Sequence, residues 1–386
     1  MKLKYCTRCL YPHTRPDTHF NDDGVCSGCV SFQQRQNVDW TAREDALAAL
    51  LAEARHRKAP WDVIVPVSGG KDSTFQILEM HRRGVRVLAV NSATDFLSDV
   101  GRRNLDNLKS FADVIEVTPE IGVRRRLVRA GLELVGDLSY PEHNAIWAIP
   151  TRIAVSFGVP LIVWGEQPQR EYACPHGVQP PTELTSDWVA EFGGMAGLRL
   201  SDLVESGAFT SEELQIYQFP DSKTLDRVGV KGVWLGDYVD WDGWKNAFIA
   251  KQYGFETLPH VVEQSLADYE NLDNYVTVLR DWLRFCKFGY ARATDIACNH
   301  IRRGRLTREE AAPLVEKAEV FPHTSLGKPI QEVLDYFGLT REQFITECDR
   351  WTNKGIFESD GSHILKTSSG VPIFKGGRYI CTDRPS

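Results

Sequence analysis

The sequence predicts an α/β protein with a parallel, doubly wound sheet, an N-terminal zinc ribbon and a helical C-terminal region. Three observations lead there. Five short apolar runs alternate with helix-like stretches between residues 61 and 240, the pattern of parallel βαβ units with helices on both faces. Four cysteines near the N-terminus are spaced C-x2-C-x16-C-x2-C. From about residue 260 the strand-like runs stop, and two helix starts with capping-box spacing follow.

Composition narrows the class. A chain of 386 residues is long enough for two or three domains. Its 42% hydrophobic and 25% charged residues are those of a soluble globular protein. No apolar run approaches the ~18 residues of a membrane span, and "MKLKYCTRC" lacks a signal-peptide core, so a cytoplasmic address without membrane association is expected. The net charge of −7 provides no global field for nucleic acid. The densest basic segments, "GVRRRLVRAG" and "HIRRGRLTRE", read as solvated helix faces. Nine cysteines without an export signal argue against a disulfide framework.

Along the chain, Cys6 and Cys9, then Cys26 and Cys29, form two knuckles whose thiolates complete the tetrahedral shell of Zn²⁺. The turn-rich "LYPHTRPDTHFNDDGV" between them reads as a loop held by metal because no core can hold it. A closed four-cysteine shell is structural, not catalytic. Residues 41–58 read as an amphipathic helix with Leu47, Leu50 and Leu51 on one side. "DVIVPV" is the first strand, "SGGKDS" a turn, and a helix then runs to a stop at Gly84. "VRVLAVNS", "DVIEVT", "VPLIVWGE" and "KGVWLGD" are the remaining strands, with helices at residues 100–111, 124–135 and 145–157 between them. Thr307 with Glu310, and Thr340 with Gln343, mark helix starts in the C-terminal third.

Ligands of such sheets bind beyond the carboxyl ends of the strands. That rule selects Ser68 to Ser73, Asn91, Gly165 with Glu166, and Gly236 with Asp237 as neighbours of one crevice. The turn has neither Walker nor dinucleotide-fold spacing. Gly69 and Gly70 allow close backbone approach to phosphate oxygens, and the following helix turns its free N–H groups and positive dipole end to the anion. Ser68 and Ser73 offer hydroxyls and Lys71 charge; Asp72 orients the loop amides or helps bind Mg²⁺.

S-G-G-x-D-S directly after an apolar strand resembles the pyrophosphatase loop of the PP-loop ATP pyrophosphatases. The resemblance implies an adenine nucleotide alpha hydrolase-like (HUP) sheet and cleavage of ATP between the α and β phosphates. A substrate carbonyl oxygen is adenylylated, and a nitrogen or sulfur nucleophile then displaces AMP. "CTRCLYPHTRPDTHFNDDGVCSGC", "PVSGGKDST", "WGEQPQREY", "LGDYVDWD" and "KFGYARATDIACNHIRRGRLTREEA" together resemble the N-acetyl sugar amidotransferases of the WbpG and PseA types. This likeness covers nearly the whole chain. It implies a zinc ribbon at residues 1–38, a PP-loop domain at 39–259 and a mainly helical domain at 260–386. The implied reaction turns an acetamido group of a nucleotide-linked sugar into an acetamidino group, in LPS O-antigen or flagellin-glycan biosynthesis.

None of Cys174, Cys286, Cys298, Cys348 and Cys381 has a nucleophile-elbow context, so no glutaminase is evident. The resemblance implies ammonia from a separate HisH-like glutaminase with a HisF-like companion. Lys71, Asp72, Glu166 and Glu171 are the catalytic candidates, while Ser68 to Ser73 and Asn91 are those for ATP. His143, Asn144, Glu166, Tyr172 and Asp237 are candidates for substrate or Mg²⁺, with helix capping and salt bridging as their ordinary alternatives. Asp95 suits metal, ribose or a turn. Asp240, Asp242 and Lys245 follow Asp237 closely, and this acidic density at a strand end suits Mg²⁺ or a turn, while Trp234, Trp241 and Trp244 suit stacking or core. Rival readings are a tRNA thiolase, which needs more catalytic-domain cysteines than Cys174, and a non-catalytic nucleotide sensor.

Overall fold

The computed structural model describes residues 2–92, 96–172, 174–175 and 183–378. At its centre lies one parallel sheet of β1 Val63–Pro66, β2 Val87–Ser92, β3 Asp113–Val117, β4 Leu161–Trp164 and β5 Lys231–Trp234, ordered β3-β2-β1-β4-β5. Val63 pairs with Val87, Ile64 with Ile162, and Leu161 with Lys231. These are the runs expected as strands. Successive side chains alternate between two cores: Ile64, Leu88, Val90 and Ile162 face one, and Val63, Val65, Val87, Ala89, Leu161 and Val163 the other. Burial on both faces explains why β1, β2 and β4 read as continuous apolar runs, whereas the edge strand β3 is half-exposed.

Before β4 the helices are α1 Ser27–Gln34, α2 Trp40–His56, α3 Lys71–Arg82, α4 Asp99–Asn107, α5 Ile121–Val135 and α6 Tyr140–Phe157. Between β4 and β5 come α7 Pro168–Glu171, α8 Ser186–Phe192, α9 Leu200–Glu205, α10 Ser211–Leu214 and α11 Ser222–Val228. Then follow α12 Gly243–Gln252, α13 Thr277–Phe288, α14 Arg292–Arg302, α15 Arg308–Ala318, α16 Ile330–Tyr336 and α17 Arg341–Trp351. α2 and α3 cover one face through Leu47, Leu51, Ile77 and Met80. α6 covers the other through Ala145, Trp147, Ile149 and Ala154. The strand order reverses between β1 and β4, which makes the crevice above those two the switch point where α/β sheets take ligands.

Several expectations need correction. α6 starts at Tyr140 with Pro141 in its first turn, so His143 and Asn144 lie within the helix and do not begin it. Asn144 Nδ2 donates to Tyr140 O at 2.9 Å instead of capping. The short helices α7 to α11 were not foreseen because four to seven residues carry too little periodicity; they bring Trp188, Leu203 and Leu214 into the α6-side core, and the 3-10 turn after α10 adds Tyr217.

The basic segments are not simply solvated faces. Arg126 does reach outward to Glu213, but Arg124 is 1% exposed and pairs with Glu142 at 3.3 Å. Arg302 donates to Glu171 O at 2.8 Å, Arg303 to Trp241 O, and Arg305 to Asp242. These arginines join α14 and its C-terminal turn to the sheet's loops.

Both C-terminal capping boxes form as expected. The strands do not stop altogether, however: Thr324–Ser325 and Lys328–Pro329 make a small antiparallel hairpin, and isolated bridges such as Phe357 with Phe374 order the following tail. Nor does the N-terminal loop lack a core. Leu10, Tyr11 and the four cysteines pack in one cluster with Leu279, Trp282, Ala297 and Cys298 of α13 and α14.

Candidate functional site

A cavity of about 350 Å³ opens over the carboxyl ends of β1, β2 and β4. Ser68, Asp72, Ser73 and Gln76 line it from the turn and α3, Asn91 and Ser92 from β2, and Gly165 and Glu166 from the end of β4. Of the expected crevice residues, Ser68, Asp72, Ser73, Asn91, Gly165 and Glu166 line this cavity, whereas Gly69, Gly70, Lys71, Gly236 and Asp237 do not. Gly69 holds φ +86°, and a Cβ there would meet Leu105 N of α4 at 3.0 Å, so both conformation and packing require glycine. Gly69 N donates to Ser73 Oγ and Gly70 N to Ser68 Oγ, each at 3.2 Å, while Ser73 Oγ donates to Gly70 O at 3.0 Å. Gly70 caps α3 without a side-chain partner, leaving the dipole end of a twelve-residue helix at the cavity. Asn91 Nδ2 donates to Val67 O at 2.7 Å and holds the ends of β1 and β2 together.

Acidic groups accumulate in this cavity. Asp72, Glu142, Glu166 and Asp273 all line it. Burial and the neighbouring Asp72 push the Glu166 carboxyl above its ordinary value. Burial also raises Glu142 against the pull of Arg124, and it raises Asp273. Carboxylates held in this state favour a cation beside them. Mg²⁺ characteristically takes one or two carboxylates together with substrate phosphates, and Asp72 and Glu166, on either side of the switch point, suit that role.

Lys71 faces away from the cavity. Its ammonium lies 2.8 Å from Asp72 and 2.6 Å from Glu270; burial would lower its pKa, but these two carboxylates outweigh that and raise it. Lys71 therefore braces Asp72, as does Asn246 of α12, whose Nδ2 donates to Asp72 Oδ1 at 2.9 Å. Glu171 ends α7, pairs with Arg35, and lines a separate cleft of about 40 Å³ with Glu270 and His300. Tyr172 follows, its phenol raised by burial and by Glu166. His143 and Asp137 line another cavity; burial lowers the imidazole, but Asp137 at 3.3 Å outweighs it and leaves it raised.

Asp237 accepts from Arg170 Nε at 2.5 Å, and burial leaves its carboxyl raised despite that partner. Asp242 caps α12 and pairs with Arg305, while Asp240 reaches Arg35 and Arg303, which is the turn-and-ion-pair alternative for this acidic stretch. Trp241 packs edge-to-face on Phe75, and Trp234, fully buried, has an edge on the main cavity. Trp244 is exposed beside Phe248. Asp95 and Cys381 lie outside the described residues.

Sequence reasoning missed Gln76, Glu142, Asn246, Glu270 and Asp273. Glu270 and Asp273 precede α13 and arrive over the sheet because α4 clamps their segment. Ser98 N donates to Asp273 O at 2.9 Å, Ser98 Oγ donates to Leu272 O, and Gly101 leaves room for the Asp273 backbone, 2.6 Å from where a Cβ would stand. No local signal marks such a contact.

The four N-terminal cysteines form the other site. Their sulfurs all lie within 4.8 Å of one another and are buried, with Cys6 to Cys29 at 3.9 Å and Cys9 to Cys26 at 3.6 Å. Zn–S bonds of about 2.3 Å set tetrahedral sulfur–sulfur edges of about 3.8 Å. The cluster can therefore hold zinc. Arg302 Nη2 stands 4.0 Å from Cys9 Sγ and 3.9 Å from Cys26 Sγ, offsetting thiolate charge.

Residues 263–369 match the family described as LPS biosynthesis protein WbpG-like, C-terminal domain. The chain carries a WbpG-like C-terminal domain. Glu270 and Asp273 both fall inside it, so the WbpG-like domain reaches the edge of the main cavity through Asp273, while the parallel sheet supplies the floor. No curated protein matches the chain. Among the described residues no helix is long and apolar enough to cross a membrane.

Proposed function

We propose that this protein is a cytoplasmic PP-loop amidotransferase of LPS biosynthesis that uses ATP and ammonia to convert an acetamido group on a nucleotide-linked sugar into an acetamidino group. The observation that carries the reading is the convergence of the S-G-G-x-D-S turn and Glu166 with Asp273 of the WbpG-like domain around one cavity. The loop amides of Gly69 and Gly70 and the start of α3 are the groups to receive the β and γ phosphates of ATP. Asp72 and Glu166 hold Mg²⁺, and Asn91 lies on the adenosine side. The cysteine cluster binds structural zinc.

The chemistry follows from the weakness of an amide carbonyl as electrophile. Its oxygen attacks the α-phosphorus, the bond to the β-phosphate oxygen breaks, and pyrophosphate leaves. Ammonia adds to the activated carbon; a proton is lost, AMP departs with the former carbonyl oxygen, and the amidine remains. The residues orient the two reactants and neutralise the developing phosphate charge. Ammonia comes from a separate glutaminase of the HisH type with its HisF-like companion.

The test is mass spectrometry of UDP-linked 2-acetamido and 2,3-diacetamido sugar acids incubated with the protein, MgATP and ammonium. The expected product is lighter by about 1 Da, the exchange of O for NH, with ¹⁸O from a labelled acetamido carbonyl recovered in AMP. AMP and pyrophosphate without any change in the sugar would reject the acceptor; no ATP cleavage would reject the reaction.

A further inference from the structure

Beside the acidic cavity lies a second one of about 260 Å³ with the opposite charge. Arg280, Arg284 and Lys287 line it from α13, Arg292 from the first residue of α14, and His143 and Asp137 from the α6 side. The spacing of four and three residues puts the α13 cations on one helix face. Glu142 and His143 are consecutive on α6, and each lines one of the two cavities. The two sites thus share that helix as a wall.

The carboxylates in direct contact with these cations are shared among several of them or engaged elsewhere. Asp281 is shared by Arg280, Arg284 and Arg292 at 3.3–3.5 Å. Asp295 takes Arg284 at 2.8 Å but also serves Tyr11 and Arg15. Asp137 is engaged by His143. Arg284 Nε and Nη2 are buried without a hydrogen-bond partner. Lys287 Nζ donates to the Val135 carbonyl at 2.8 Å and has no carboxylate within salt-bridge distance among the described residues. Grouped guanidinium and ammonium donors of this kind match an anion with several oxygens.

We propose that this cavity binds the diphosphate of the nucleotide-linked acceptor, delivering its acetamido group along α6 toward the ATP cavity. The identity of the acceptor rests on the amidotransferase reading; the anion site rests on the cavity itself. Two anionic substrates meeting at one centre need separate anion sites, and the amides and helix dipole of the loop before α3 on one side and the basic face of α13 on the other are such sites. Arg280, Arg284, Lys287 and Arg292 are binding residues and take no part in bond making.

The experiment is calorimetric titration of UDP into the full chain saturated with Mg²⁺ and a non-hydrolysable ATP analogue, repeated with Lys287→Gln and Arg284→Gln. UDP affinity should fall about tenfold or more in both variants, and affinity for the ATP analogue should stay within about twofold. Should Arg284→Gln fail to fold, with Asp295 short of a partner, Lys287→Gln and Arg280→Gln give the same measurement. No UDP binding to the wild type, or unchanged affinity in Lys287→Gln and Arg280→Gln, overturns the site. Failure of the reaction reads differently. UDP bound through these residues without amidine formation would leave the anion site standing, whereas amidine formation with an unchanged sugar KM in Lys287→Gln would remove the site and keep the reaction.

Discussion

Glu166 and Asp72 share a cavity in which the ionised form of each opposes that of the other, and the Glu166 carboxyl is raised by burial and by Asp72. The sign of the consequence is fixed by linkage. A carboxyl whose folded pKa exceeds its unfolded value penalises the folded state as pH rises above the unfolded value, and the full penalty stands above the folded one. Glu166→Gln should therefore melt higher than wild type at about pH 8 without nucleotide, with the difference shrinking below about pH 4, where Glu166 is protonated in the folded and the unfolded chain alike. AMP formation should meanwhile fall about 100-fold or more. A variant that melts lower at alkaline pH would show Glu166 to be a structural partner rather than a strained site residue.

The turn from β1 to α3 is an element in which composition and packing agree. Gly69 combines a left-handed φ with contact against α4, and a side chain there has to displace Leu105 backbone or distort the loop. Gly69→Ala should cost about 1–3 kcal/mol in denaturant unfolding and lower ATP affinity. Gly70, with φ −73° and only Ser68 Oγ nearby at 3.2 Å, should tolerate alanine better in stability. Equal losses at both positions would contradict this account. The strands and this turn were legible because β-branched runs and Gly-Gly spacing act on neighbours in sequence. The start of α6 was not, because "YPEH" carries no side-chain cap and its Pro141 looks like a loop residue until the helix is seen around it.

At the scale of the whole molecule, the cysteine cluster and the segment after β4 are mechanically joined. Arg302 of α14 stands beside Cys9 and Cys26 and donates to the Glu171 carbonyl, and Ser31 of α1 donates to Arg170 O at 3.0 Å. Cys26→Ser should lose zinc in elemental analysis, lower Tm by several degrees and reduce AMP formation, although no cysteine of the cluster touches the main cavity. Full zinc content, or an unchanged Tm, would count against a metal-held ribbon. The sequence by itself determined the parallel sheet, the turn with its serines and glycines, and the four-cysteine spacing, since periodicity and short spacing are read between residues a few positions apart. Only the tertiary structure decided that Lys71 points to Glu270 and not to the cavity, that Asn246 braces Asp72 from 174 residues away, and that the arginines of α13 gather beside α6. Those arrangements follow from packing α12 and the WbpG-like domain against the sheet's loops, and a contact between distant segments leaves no trace in either segment's own pattern.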